Sequence, residues 1–344
     1  MRTLLNTLYI MTPENYLRLD GENVVISRES VEIGRVPLHN LQGIVTFGYS
    51  GASPALMGAC ANRGISLCFM TKNGRFLASV VGEMKGNVVL RKEQYRISDD
   101  LQRCTPMARN MIIGKIYNCK WILERATRDH PLQVDVENLK NTSKFLSESL
   151  RSLRNEELEI DNIMGMEGNA ASRYFKTLDN LILHNKEDFY IHDRNRRPPT
   201  DRVNAMLSFL YTMLANDCAA ALSTVGLDPY VGFLHRDRPG RVSLALDLME
   251  ELRPVFVDRF VIALINKHMI EPSDFIEKEN KAILMTDDGR KKILSAWQNK
   301  KQEKIQHPYL CETVEWGLIP YVQSLLLART IRGDLDGYPT FIWK

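Results

Sequence analysis

Histidine and carboxylate side chains crowd together in VGFLHRDRPGRVSLALDLMEELRP, residues 231–254. His235 sits in a turn-rich stretch that also holds Pro239 and Gly240. Asp247 and Glu250 are three apart on a predicted helix over 244–251, so both carboxylates can project from one face. An imidazole with carboxylates suits Mn²⁺, and the carboxylates suit Mg²⁺ as well. The spacing alone decides little. With 42 acids in 344 residues, chance supplies about five acidic pairs at this separation, and most such pairs are solvated helix faces. A lone histidine likewise serves structure more often than metal.

Two further stretches carry candidate groups. In GMEGNAASRYF, residues 165–175, Glu167 stands between glycines ahead of a helix-forming run. The glycines leave room for a ligand or a second backbone. The same placement also explains Glu167 as the partner of a helix N-terminus, complementing its dipole. In HDRNRRPPTD, residues 192–201, Arg194, Arg196 and Arg197 precede Pro198 and Pro199. Such a stiffened cluster can present guanidinium groups to phosphates, or it is an exposed loop whose arginines pair with acids. Arg290, Lys291, Lys292, Lys300, Lys301 and Lys304 gather around Trp297 on a predicted helix, as a strip for a polyanion backbone or as a solvated face. Other chemistries find no support: there is no GxGxxG after a strand, no GxxxxGK[ST], no GxSxG and no HExxH.

The elements that must position these groups fall into two textures. Through about residue 85 the short runs TLYIM, YLRL, NVVIS, VEIGRV, GIVTFG and ISLCFM read as strands. Asp20-Gly21 and Asn73-Gly74 mark tight turns, and SPALMGACANRG reads as a helix capped by Gly64. From about Leu90 the apolar residues recur at three and four positions, with later helices predicted over 202–225, 254–270, 288–304 and 314–332. The expected architecture is α+β: a small β-sandwich-like domain over 1–88, then a large all-α domain over 89–344. At 44% hydrophobic and 25% charged the composition is globular, and a net charge of +3 is too balanced to argue for a polyanion partner. The six cysteines form no CxxC pair, which fits free thiols in a reducing compartment. No signal peptide is read at the start, and Ala205–Ala215 is too short an apolar run to span a membrane. A cytoplasmic protein with no membrane partner is expected.

In their order along the chain, GMEGNAASRYF, RNRRPPTDRVNAMLSFLYTML and GLDPYVGFLHRDRPGRVSLALDLMEELRP resemble the Cas-one family, the metal-dependent DNA endonuclease and integrase of CRISPR spacer acquisition. The ending GYPTFIWK looks most like the subtype I-C form. The resemblance implies a site in the α-domain with Glu167, His235 and Glu250 as catalytic metal ligands for Mn²⁺ or Mg²⁺, where some relatives carry aspartate at the last position. It implies a supporting or auxiliary role for Asp247. Arg173, Arg196, Arg197, Arg238 and Arg241 flank those positions and are the candidates for phosphate contacts. The implied reaction is transesterification, in which the 3′-hydroxyl of a short DNA attacks repeat DNA, with branched DNA as substrate for the reverse. The implied partners are double-stranded and branched DNA, a second copy of the chain joined through the β-domain, and the small protein Cas-two. A general metal-dependent nuclease acting on branched or repair DNA and a non-catalytic DNA-binding scaffold are the alternatives.

Overall fold

Alternating residues and tight turns build the first sheets. The computed structural model describes residues 6–82, 87–195 and 198–344; Arg196 and Arg197 lie outside them. Strands β1 (Asn6–Ile10), β2 (Tyr16–Asp20), β3 (Asn23–Arg28), β4 (Val31–Pro37) and β5 (Leu41–Phe47) lead to helix α1 (Pro54–Arg63), then β6 (Ser66–Met70) and β7 (Phe76–Val80). Gly21 and Gly74 take positive φ in the two predicted turns, as a residue without Cβ does freely. Ser53 caps α1 by accepting a hydrogen bond from the Leu56 N–H, and Gly64 closes it in the left-handed region.

Strands β2, β3 and β4 form an antiparallel sheet, and β1, β5, β6 and β7 form a mixed one. In the mixed sheet β1, β5 and β6 run parallel, and only β7 is antiparallel. Parallel neighbours cannot be joined by a hairpin, so α1 serves as the crossover between β5 and β6. Leu17, Val24, Ile44 and Leu67 of the two sheets meet Leu56 of α1 in one fully buried core.

Beyond Asn87 the chain is mainly helical, not all-α as expected, since Phe275–Glu277 pairs with Ile283–Met285 and Lys304–Gln306 with Thr313–Glu315: α2 (Val88–Asp99), α3 (Leu101–Asp129), α4 (Val136–Asn155), α5 (Ile160–Leu178), α6 (Arg202–Val225), α7 (Ser243–Glu250) and α8 (Arg259–Asn266). A π-helical turn, Arg253–Asp258, replaces the first part of the helix predicted over 254–270. Helix α9 (Asp287–Gln302) follows, then α10 (Ile319–Arg332). The chain divides into two compact units, and the division differs from the expected 1–88 and 89–344. Residues 285–305 and 315–318 belong with the β-rich unit, so α9 does too. Arg290 and Lys301 of the expected basic strip, together with Trp297, are buried, and Arg290 donates to the Met285 carbonyl. A continuous solvent-facing strip therefore does not form. Helix α6 is long and apolar enough to cross a bilayer by length and composition, but Val203, Leu207, Leu210 and Leu214 along it are fully or almost fully buried, so it also fits the core helix of a globular unit.

Candidate active site

Three helices of the second unit aim acids and a base at one another. Lys115 on α3 forms ion pairs with both Glu167 on α5 and Glu250 at the end of α7, the latter at 2.7 Å. Lys115 and Glu250 have side chains 9% and 4% exposed, whereas Glu167 is 25% exposed at the open side of the cluster. Glu167 lies in the middle of α5, not at its start, because the helix begins at Ile160. Dipole complementation therefore does not explain it. A Cβ added at Gly165 or Gly168 would meet nothing within 4 Å, so the helix surface either side of Glu167 is open.

Asp247 and Glu250 share α7 but are not a solvated pair, since both are buried. Asp247 gathers the loop that carries His235. Its Oδ2 accepts from the N–H groups of Phe233 (2.6 Å) and Leu234 (2.9 Å). Its Oδ1 accepts from the His235 N–H at 3.0 Å and lies 2.6 Å from His235 Nδ1. Gly232 makes this wrap possible: a Cβ there would stand 2.7 Å from Asp247 Oδ2. With Nδ1 held by a carboxylate, Nε2 is the ring nitrogen left to face a ligand. His235 lies close enough to Glu250 that a positive charge on its ring would lower the pKa of that carboxyl.

The electrostatics follow from burial set against neighbouring cations. Burial alone raises the Glu250 carboxyl, but the Arg253 guanidinium and the Lys115 ammonium outweigh it and bring it down to about 2. The π-helical turn after α7 brings Arg253 back to Glu250 Oε1 at 3.1 Å. Arg253 and Arg194 both lie over the Tyr211 ring, each 5.3 Å from its centroid. The Tyr211 hydroxyl donates to Asp258, and burial pushes that carboxyl up to about 6 despite this bond and the nearby cations.

The structure brings Glu167, His235, Asp247 and Glu250 into one neighbourhood. Among the described residues, no three His, Cys, Asp or Glu side chains close around a single point as a finished metal cage. The arginines behave differently. Arg173 stacks its guanidinium on Phe145 of α4, 3.8 Å from the ring centroid. Arg241 is tied to its own loop, donating to Ser243 Oγ at 3.2 Å and to the Arg236 carbonyl. Arg238 is exposed in that loop, and Arg196 and Arg197 fall outside the described residues. Arg194 donates to Asn204 Oδ1 (2.7 Å) and Ser208 Oγ (3.0 Å), which binds its loop to α6. Lys115, Arg253 and Tyr211 are missed by sequence reasoning. Lys115 stands in a long helix with no motif around it, while Arg253 lies inside the DLMEELRP run and could have been weighed with its acids.

A family model described as CRISPR associated protein Cas1 matches residues 8–299. The CRISPR-associated endonuclease Cas1 1 of Chlorobaculum tepidum is 47% identical over 344 residues, covering 100% of both chains. The chain belongs to the Cas1 family. That makes it a member of a family of CRISPR-associated endonucleases, as the ordered motifs had suggested. Two solved structures share the fold. A casposase bound to integration product superposes with a TM-score of 0.82 at 24% identity, covering 96% of this chain and 92% of that one. A Cas6-RT-Cas1–Cas2 complex gives 0.82 at 21% identity, covering 100% of this chain and 36% of that one.

Proposed function

We propose that this Cas1 protein is a metal-dependent integrase that joins a DNA 3′-hydroxyl to repeat DNA by transesterification, with Glu167, His235 and Glu250 as its metal ligands. The observation that carries the reading is the meeting of Glu167 and Glu250, from two different helices, on one buried cation beside an imidazole held by Asp247. The donor set fits a hard divalent ion, two carboxylates and one neutral imidazole nitrogen being the ligands that Mn²⁺ accepts and Mg²⁺ largely shares. Glu250 Oε2 is buried 2.7 Å from Lys115 Nζ, and a carboxylate oxygen that takes one such contact keeps a second lone pair for a ligand. Arg253 and Lys115 keep Glu250 ionised, the form that binds a cation.

When bound, the ion supplies charge neutralisation at phosphorus and lowers the cost of ionising the attacking hydroxyl. The chain's own groups do the rest. Asp247 fixes the His235 tautomer and ring orientation through its contact with Nδ1, and holds the loop through the N–H groups of Phe233, Leu234 and His235. Glu167, far more exposed than Glu250, faces the open surface where a DNA strand can approach. Arg173, Arg196, Arg197, Arg238 and Arg241 are assigned to phosphate contacts in this reading. Working partners in this reading are double-stranded and branched DNA, a second copy through the β-rich unit, and Cas2; the subtype is I-C and the compartment the cytoplasm.

A branched DNA with a single-stranded flap, incubated with Mn²⁺, tests the assignment. Wild type is expected to reseal the nicked strand and release the flap, and Glu167→Ala to do neither. Flap cutting without resealing replaces integration with simple hydrolysis. No turnover by wild type leaves Lys115 and the carboxylates as an ionic lock in a DNA-binding scaffold.

A further inference from the structure

Residues Tyr338–Trp343, which follow α10 without regular secondary structure, reach the same region through the neighbour of Glu250. Glu251, next in the chain after Glu250, is fully buried and accepts from four neutral donors. Three come from this segment: the Tyr338 hydroxyl at 2.5 Å, the Thr340 hydroxyl, and the Phe341 N–H at 2.7 Å. The fourth is Gln323 Nε2 of α10 at 2.8 Å, which also donates to the Tyr338 oxygen at 2.7 Å.

The segment grips α3 as firmly. Asn118 donates to the carbonyls of Glu251 (2.7 Å) and Phe341 (2.9 Å), and accepts from the Trp343 N–H at 2.8 Å. Asn110 donates to the Tyr338 carbonyl at 3.0 Å. Gly114 is a glycine for this reason: a Cβ would lie 2.0 Å from Thr340 Oγ1 and 2.9 Å from Glu251 Cβ. Trp343 is held between Arg125 and Arg259, each guanidinium 4.3 Å from its ring centroid.

The two residues at the centre of this grip, Glu251 and Gly114, are covalently next to Glu250 and Lys115. We infer that Tyr338–Trp343 is a positioning strap that sets the Glu250 carboxylate against Lys115 and so holds the reactive geometry. The inference rests on the reading that Glu250 belongs to the catalytic site. A misplacement of about 1 Å at a reacting centre costs on the order of 100-fold in rate, so a strap need not touch substrate to matter.

Thr340→Val, Thr340→Ser, Tyr338→Phe and Glu250→Gln, each in the full chain, separate the possibilities by strand resealing on flap DNA with folding checked by circular dichroism. Thr340→Val and Tyr338→Phe are each expected to lower kcat about tenfold with KM for DNA within twofold of wild type, while Thr340→Ser, which keeps the hydroxyl, restores kcat. Wild-type kcat in folded Thr340→Val and Tyr338→Phe, alongside an inactive Glu250→Gln, overturns the strap and leaves the site intact. A fall in kcat that matches only the unfolded fraction overturns it equally. An active Glu250→Gln removes the site reading itself, and the strap with it.

Discussion

Glu250 and Glu251 are adjacent in the chain and both buried, yet their carboxyl groups titrate in opposite directions. Burial pushes each of them up. Around Glu250 the Arg253 and Lys115 cations reverse that push and hold the carboxyl at about 2. Around Glu251 the donors are Thr340, Tyr338, Gln323 and the Phe341 N–H, all neutral, and the carboxyl stays raised. Hydrogen bonds from neutral groups satisfy a buried carboxylate without fully offsetting its lost hydration, whereas a cation can. The first environment keeps Glu250 an anion, as the proposed metal site requires; the second ties backbone segments together.

Removing the cation should break this contrast most severely. Lys115→Met leaves two carboxylates without their shared partner and is expected to cost about 3–5 kcal/mol at pH 7, measured by urea unfolding. The Glu250 carboxyl is lowered in the fold, from 4.5 to about 2, so its stabilisation is present above pH 4.5 and lost as pH falls towards 2. The deficit of Lys115→Met should therefore narrow at pH 3. A deficit unchanged between pH 7 and pH 3 contradicts the ionic account.

Asp258 sharpens the contrast as another buried carboxyl, where the Tyr211 hydroxyl and nearby cations only partly offset burial. Its raised value, from 3.8 to about 6, means that ionisation costs folding free energy, by about 3 kcal/mol above pH 6 and by nothing below pH 3.8. Asp258→Asn should be more stable than wild type at pH 7, and the advantage should vanish by pH 4. Equal stability at both pH values would falsify that assignment.

The adjacent glutamates themselves should separate in activity. Glu250→Gln is expected to lower flap-DNA turnover more than about 100-fold, beyond the range for outer groups, and Glu251→Gln about tenfold. Losses of equal size would erase the distinction between a ligand and a backbone tie. Asp247→Asn should give a smaller loss than Glu250→Gln, about 10–100-fold, because the His235 ring loses its orienting carboxylate while its backbone contacts survive. Activity at the wild-type level would show that the ring orients itself.

What could be seen in the sequence was whatever is local. The hairpin glycines, the Gly64 cap of α1, helix 202–225 and the order of the motifs all depend on neighbours a few residues apart. Lys115 was hidden because it is one of 45 basic residues and meets Glu167 and Glu250 only through tertiary packing. Glu167 was misplaced towards a helix start because glycines at 165 and 168 imitate a break, although α5 runs straight through them. The grouping of α9 with the β-rich unit follows from which face Ile293, Leu294 and Trp297 bury, a choice no local pattern makes. Asp247 and Glu250 were placed on one helix from spacing alone, but their division of labour depends on the loop at Gly232 and the π-helical turn.

The claim that matters most is that Glu167, His235 and Glu250 hold a divalent ion. Titration of the protein with Mn²⁺, followed by the electron paramagnetic resonance of the free ion, tests it without DNA. One Mn²⁺ per chain in wild type, lost in Glu167→Gln and in Glu250→Gln while both variants remain folded, is the predicted result. Binding that survives in both variants, or is absent from wild type, would contradict it.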